Sequence, residues 1–109
     1  MIVKGQLDEL LALCHAAEEL QESGLPFLYL RVLRLPQGCV PAEVDALLCI
    51  HKRDGYDSRL YLSSPISHRG SNWSTTYLFD RRWHTWSWQG VSAQQRPIQV
   101  LAGHLKALK

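Results

Sequence analysis

Cys14, Cys39 and Cys49 are the residues of this 109-residue chain best suited to nucleophilic chemistry, because a thiolate attacks carbonyl carbon and can carry an acyl group. Their spacing makes no Cys-x-x-Cys, no zinc set and no disulfide framework, so neither metal nor cofactor is expected, and a reducing cytoplasm is the simplest location. Cys14 falls on the apolar side of an expected helix and Cys49 in the middle of an expected strand, where free cysteine behaves as a small buried hydrophobe. Cys39, just after the Pro36-Gln37-Gly38 turn, is the most exposed of the three and the one candidate nucleophile. No HExxH, GxSxG, P-loop or GxGxxG motif occurs.

Residues suited to recognition are denser than residues suited to catalysis. All four tryptophans (Trp73, Trp83, Trp86, Trp88) lie close together with Arg69, Arg81, Arg82, His68 and His84. Indole rings bury much area and keep one N–H to satisfy, so such a cluster builds either a core or a contact surface. Trp83 and Trp86 read as structural. His68, Trp73, Arg81, Arg82, His84 and Trp88 form the candidate binding set, with Trp73 and Trp88 as anchors of the kind enriched at binding hot spots. The two histidines read most simply as loop residues bonded to backbone or water. Arg69, Arg81 and Arg82 alternate with Trp73, Tyr77 and Trp83, a pattern that could stack bases and contact phosphates of single-stranded nucleic acid. A net charge of only +2 argues against nucleic acid.

These residues must be positioned by a single domain, 1–109, of ordinary globular composition, with 46% apolar and 20% charged residues. Leu7, Leu10, Leu11, Cys14, Ala17 and Leu20 recur at helical spacing, which predicts an amphipathic helix over 7–20 that stops at Ser23-Gly24. Pro26–Leu35, Glu43–His51 and Arg59–Ser63 read as strands separated by Pro-Gln-Gly and Asp54-Gly55 turns. Trp73–Phe79 alternates as a fourth strand. Pro97 opens a closing helix, Ile98–Leu108, within which Gly103 is unfavourable unless close packing requires it. The expected fold is α+β: an N-terminal helix, a three- to four-stranded antiparallel meander, an irregular Trp-rich segment and a C-terminal helix. No leader or membrane span is expected.

This order of elements, with LPQGCVPAEVDALLCI (35–50), RLYLSSP (59–65), RRWHTWSW (81–88) and VLAGHLKAL (100–108), resembles the E2-like ubiquitin-conjugating superfamily, and among its members the compact bacterial E2-like proteins. The resemblance implies the UBC-like fold and, as partners, a ubiquitin-like protein and an E1-like enzyme. Ile66-Ser67-His68-Arg69-Gly70 stands where that family has a His-Pro-Asn turn, and Trp86-Ser87 where it has a Trp-Ser pair. Counting between them sets Leu78-Phe79-Asp80 over the family's Cys-Leu-Asp. Leucine cannot form a thioester, so the resemblance implies a non-catalytic binding or adaptor subunit, with Asn72 a displaced stand-in for the oxyanion-binding Asn. Thiol chemistry at Cys39 is the enzymatic alternative, and a homodimer closed by the Trp segment a structural one.

Overall fold

The computed structural model describes residues 3–109, which form two helices and one six-stranded antiparallel sheet. Helix α1 (Lys4–Leu10) leads into strands β1 (Ala16–Glu22), β2 (Leu25–Arg34), β3 (Glu43–Cys49), β4 (Arg59–Leu62), β5 (Ser74–Leu78) and β6 (Arg81–Thr85). Helix α2 (Pro97–Leu105) follows and ends in a 3-10 turn, Lys106–Leu108. The strand order is β1-β2-β3-β4-β6-β5, so β1 and β5 are the edges. None of the described helices is long and apolar enough to cross a membrane.

The helix expected over 7–20 is a correction. It ends at Leu10, and residues 16–22 form an edge strand whose register runs from Ala16↔Arg31 to Glu22↔Leu25. The Ala, Glu, Leu and Gln of AAEELQE favour a helix, but propensity is a weak prior that pairing overrides. Ser23 and Gly24, at φ 53° and 78°, make a two-residue connection with both residues left-handed, the hairpin geometry that suits twisted strands. This dipeptide therefore turns a hairpin instead of ending a helix. At the end of α1 the Leu10 carbonyl accepts from the amides of Leu13 and Cys14 at 2.9 and 3.2 Å and from the Cys14 thiol at 3.2 Å, so the helix end is satisfied locally.

The segment expected to be irregular is a second correction. RRWHT is strand β6, joined to β5 by a two-residue turn at Phe79-Asp80, again with both φ positive (53° and 57°). The strands expected at 26–35, 43–51 and 59–63 are β2, β3 and β4, and Pro97 opens α2 as anticipated. Gly103 is there for packing: a Cβ would lie 3.0 Å from one Val91 methyl and 3.3 Å from the other.

Alternation along the strands divides the apolar residues into two cores. On one face Leu28, Leu30, Ala46, Leu48, Leu60 and Leu62 pack under the helices together with Trp86. On the other, Phe27, Tyr29, Leu47, Cys49, Tyr61 and Trp83 are buried although no helix covers them. The sheet itself encloses this second core. Strands β2 and β6 are three steps apart, about 14 Å in a flat sheet at ~4.8 Å per step, yet the Tyr29 and Trp83 rings meet at 5.7 Å. At one end the two edges almost touch: Glu22 of β1 accepts a 2.6 Å hydrogen bond from the Phe79 amide, and the Phe79 ring packs on Phe27 at 5.7 Å. Burying a large apolar side chain stabilises by roughly 1.5–3 kcal/mol, so the inner cluster gives the curl its driving force. Guanidinium groups roof it, with Arg31 over Tyr29 at 4.5 Å and Arg81 over Trp83 at 4.8 Å.

Candidate binding surface

The cysteines occupy three different buried sites. Cys39, expected to be the most exposed, is 4% exposed, which corrects its standing as a candidate nucleophile. Its thiol donates to the Leu108 carbonyl at 3.3 Å. Arg69 closes over it, donating to the Leu108 carbonyl at 2.6 Å and the Gln37 carbonyl at 3.1 Å, with its nearer nitrogen 3.9 Å from the sulfur. A cation bonded to the last carbonyl of a helical turn is a favourable cap, so the arginine ties the 36–39 turn, the 65–72 loop and the C-terminal turn together. Cys49 is fully buried in the inner core, 3.4 Å from His51 Nε2. Burial pushes the Cys49 thiol above its ordinary pKa and, with Arg53 adding to the effect, pushes the imidazole of His51 below its own. The pair therefore stays neutral. Burial also raises the Cys14 thiol.

Leu78, set by the resemblance at the nucleophile position, belongs to the inner core, and its carbonyl accepts the Trp83 indole N–H at 2.9 Å. Trp86 packs in the helix-side core, against Trp73 at 5.1 Å. The sheet separates Leu78 from Trp86, so the two do not line a common groove.

Ser58 and His104 form a pair that sequence reading missed. Ser58 Oγ lies 2.9 Å from His104 Nε2 and donates to the Val91 carbonyl at 2.7 Å. Since the serine proton points to that carbonyl, the histidine is the donor to Ser58, which is the reverse of a base activating a nucleophile. Both residues are 2% exposed. Burial, with Arg59 nearby, holds the His104 pKa down at about 4. This is a buried tie between β4, the 86–96 segment and α2.

The binding set expected from sequence divides between two faces. The pairs Thr75↔His84, Tyr77↔Arg82 and Leu62↔His84 place Thr75, Tyr77, Arg82 and His84 on the helix side of the β5–β6 hairpin, in line with Trp73. Trp73 is half-buried there, its indole N–H bonded to the Arg69 carbonyl at 2.8 Å. His84 is half-buried, and desolvation together with Arg82 lowers its pKa. Arg81 faces the opposite way, bonding Tyr29 Oη at 2.7 Å and Asp45 at 3.1 Å. Trp88 lies over α2 with its N–H on the Gly103 carbonyl. His68 is exposed in the 65–72 loop at φ 61°.

Charge pairing separates these arginines further. Arg31, Arg53, Arg59, Arg81 and Arg96 each lie within 4.0 Å of a carboxylate. Arg34 and Arg69 are bonded to backbone carbonyls. Among the described residues only Arg82 has neither kind of partner: it donates to Tyr77 Oη at 3.2 and 2.9 Å. Its guanidinium lies 5.6 Å from the centroid of the Tyr77 ring, which is 65% exposed. A cation of β6 is thus held against the side chain of its cross-strand partner on the edge strand β5. That edge reads Ser-Thr-Thr-Tyr-Leu, with no charge, no proline and no bulge, whereas natural edges usually carry such guards against further pairing. Edge β1 has them, in Glu18, Glu19 and Glu22. The signal available in the sequence was this lack of a guard on 74–78, which becomes meaningful only once β5 is known to be an edge. Comparison with protein-family models, with curated proteins and with solved structures finds no match to this chain.

Proposed function

We propose that this chain is a protein-binding module without thiol catalysis, and that it engages partners at the outer edge of β5. The observation that carries the proposal is Arg82, which lacks a carboxylate partner and is held over an exposed Tyr77 on an edge strand with no charge, proline or bulge of its own. An extended segment adding to such an edge gains main-chain hydrogen bonds, while flanking side chains supply selectivity. The flank here favours an acidic segment. The concentrated basic surface that single-stranded nucleic acid needs is not what supports function, because Arg81 is spent on Asp45 and Arg69 on carbonyls. A ubiquitin-like protein and an E1-like enzyme, the partners implied by the resemblance to E2-like proteins, are the first to try.

Titrating the isotopically labelled chain with an extended peptide of alternating Thr and Glu, and separately with a ubiquitin-like protein, checks this. Amide resonances of 74–78 and 81–85 should move first, and Arg82→Ala should weaken binding by about tenfold, the scale of one lost charge-assisted contact. Shifts confined to α1 or to the Cys39 and Arg69 region would place the docking surface elsewhere and refute the proposal.

A further inference from the structure

The acidic, extended segment that β5 calls for is present on the molecule itself. We infer that β5 of one copy pairs with β1 of a second copy, so that chains associate head to tail through their two unlike sheet edges. This inference rests on the binding role of the β5 edge proposed above, and names its partner.

The two edges are complementary in charge. β1 carries Glu18, Glu19 and Glu22 and no cation. Glu18 is engaged by Arg31 and Glu22 by the Phe79 amide, but Glu19 takes part in no ion pair among the described residues. Glu19 is opposite Leu28, which belongs to the helix-side core, so its side chain is on that face. Thr75, Tyr77 and Arg82 are on the corresponding face of the hairpin. A sheet continued from β5 into the neighbour's β1 therefore sets an unpaired carboxylate on the same side as an unpaired guanidinium. Side chains opposite each other on one face are the units that stabilise or oppose strand pairing.

Symmetric alternatives are opposed by the same charges. Pairing β1 with β1 would bring the glutamates of two copies together, and pairing β5 with β5 would leave Arg82, one strand behind each edge, with no carboxylate to meet. The unlike pair alone joins opposite charges. Such a contact uses different surfaces on the two copies, so association closes into a ring where the rotation allows it and otherwise continues as an open chain.

Sedimentation velocity from low micromolar to millimolar concentration, at low and high salt, tests this. Wild type should form oligomers beyond the dimer that weaken as salt rises. Glu19→Lys and Arg82→Glu should each weaken association by about tenfold or more. An equimolar mixture of the two variants should recover it, since each then offers an edge that suits the other. Arg82 is exposed and Glu19 half-buried, and Glu19→Gln and Arg82→Gln, smaller changes that keep the fold, should give weaker losses in the same direction. A wild type that stays monomeric throughout, or variants that associate as wild type does, would overturn the inference. The binding role of β5 would survive if the monomer still showed β5 shifts with the Thr-Glu peptide. It would fall as well if neither self-association nor peptide shifts appeared.

Discussion

At the scale of single residues, His104 is the clearest case of a side chain whose chemistry is set by burial. It is 2% exposed, donates to Ser58, and has its pKa held at about 4 against an ordinary 6.5. A histidine with a depressed native pKa leaves stability untouched above pH 6.5, where both folded and unfolded states are neutral. As pH falls from 6.5 towards 4 the unfolded chain takes up a proton that the folded chain refuses, and stability declines. The full loss is roughly 3 kcal/mol at 1.36 kcal/mol per pK unit, a large part of what a small domain has to spend. Urea titrations at pH 7 and pH 4 should show that decline. In His104→Gln, which can still donate to Ser58 but does not titrate, the decline should shrink by a similar amount. An equal decline in both proteins would assign the acid sensitivity to other groups.

At the scale of elements, the pairing of the two edge turns holds the curl of the sheet. Phe79 sits at φ 53° in a turn position that favours Asn, Asp or Gly, and it is kept there by the Glu22 carboxylate on its amide and by Phe27 against its ring. Glu22→Ala should therefore cost about 1–3 kcal/mol, the range for a donor losing its charged acceptor. It should also speed hydrogen exchange at the Phe79 amide more than at amides of α2; equal acceleration everywhere would mean that the contact closes nothing locally.

Elements whose signals were local were legible in the sequence. The aromatic and branched residues of PFLYLRVLRL, the alternation of EVDALLCI, the Asp54-Gly55 turn and Pro97 each specify what they form. Residues 16–22 were misread because Ala, Glu, Leu and Gln recur at helical spacing, and because Ser23-Gly24 suits a helix stop as well as the two-residue hairpin that pairs them with β2. RRWHT was missed as a strand because its turn uses Phe79-Asp80 instead of a glycine. Of the candidate binding set, Trp73, Arg82 and His84 share a face, whereas Arg81, Trp88 and His68 belong elsewhere. Which arginine lacks a carboxylate is a fact of tertiary pairing that no spacing encodes.

At the scale of the whole molecule, the three thiols report on three separate pieces of the fold, and their order of exposure follows from where each is held. Cys49 is in the inner core, enclosed by the curl of the sheet; Cys39 is under Arg69 where two loops meet the C-terminal turn; Cys14 closes the roughly two turns of α1. A short helix packed mainly on α2 opens more readily than a central strand, because local opening costs only the contacts of the unit that opens. Burial also raises the pKa of Cys14 and Cys49, which keeps both in the unreactive thiol form even when reagent is at hand. Native protein mixed with a thiol-reactive disulfide at neutral pH should therefore label slowly, with Cys14 first and Cys49 last, and all three should react at once in denaturant. Rapid labelling of Cys39 in the native state would restore it as an accessible nucleophile and bring acyl transfer back as the working chemistry. Slow labelling of all three, with Cys49 reacting only at the rate of global unfolding, is the outcome that fits the proposed binding module without thiol catalysis.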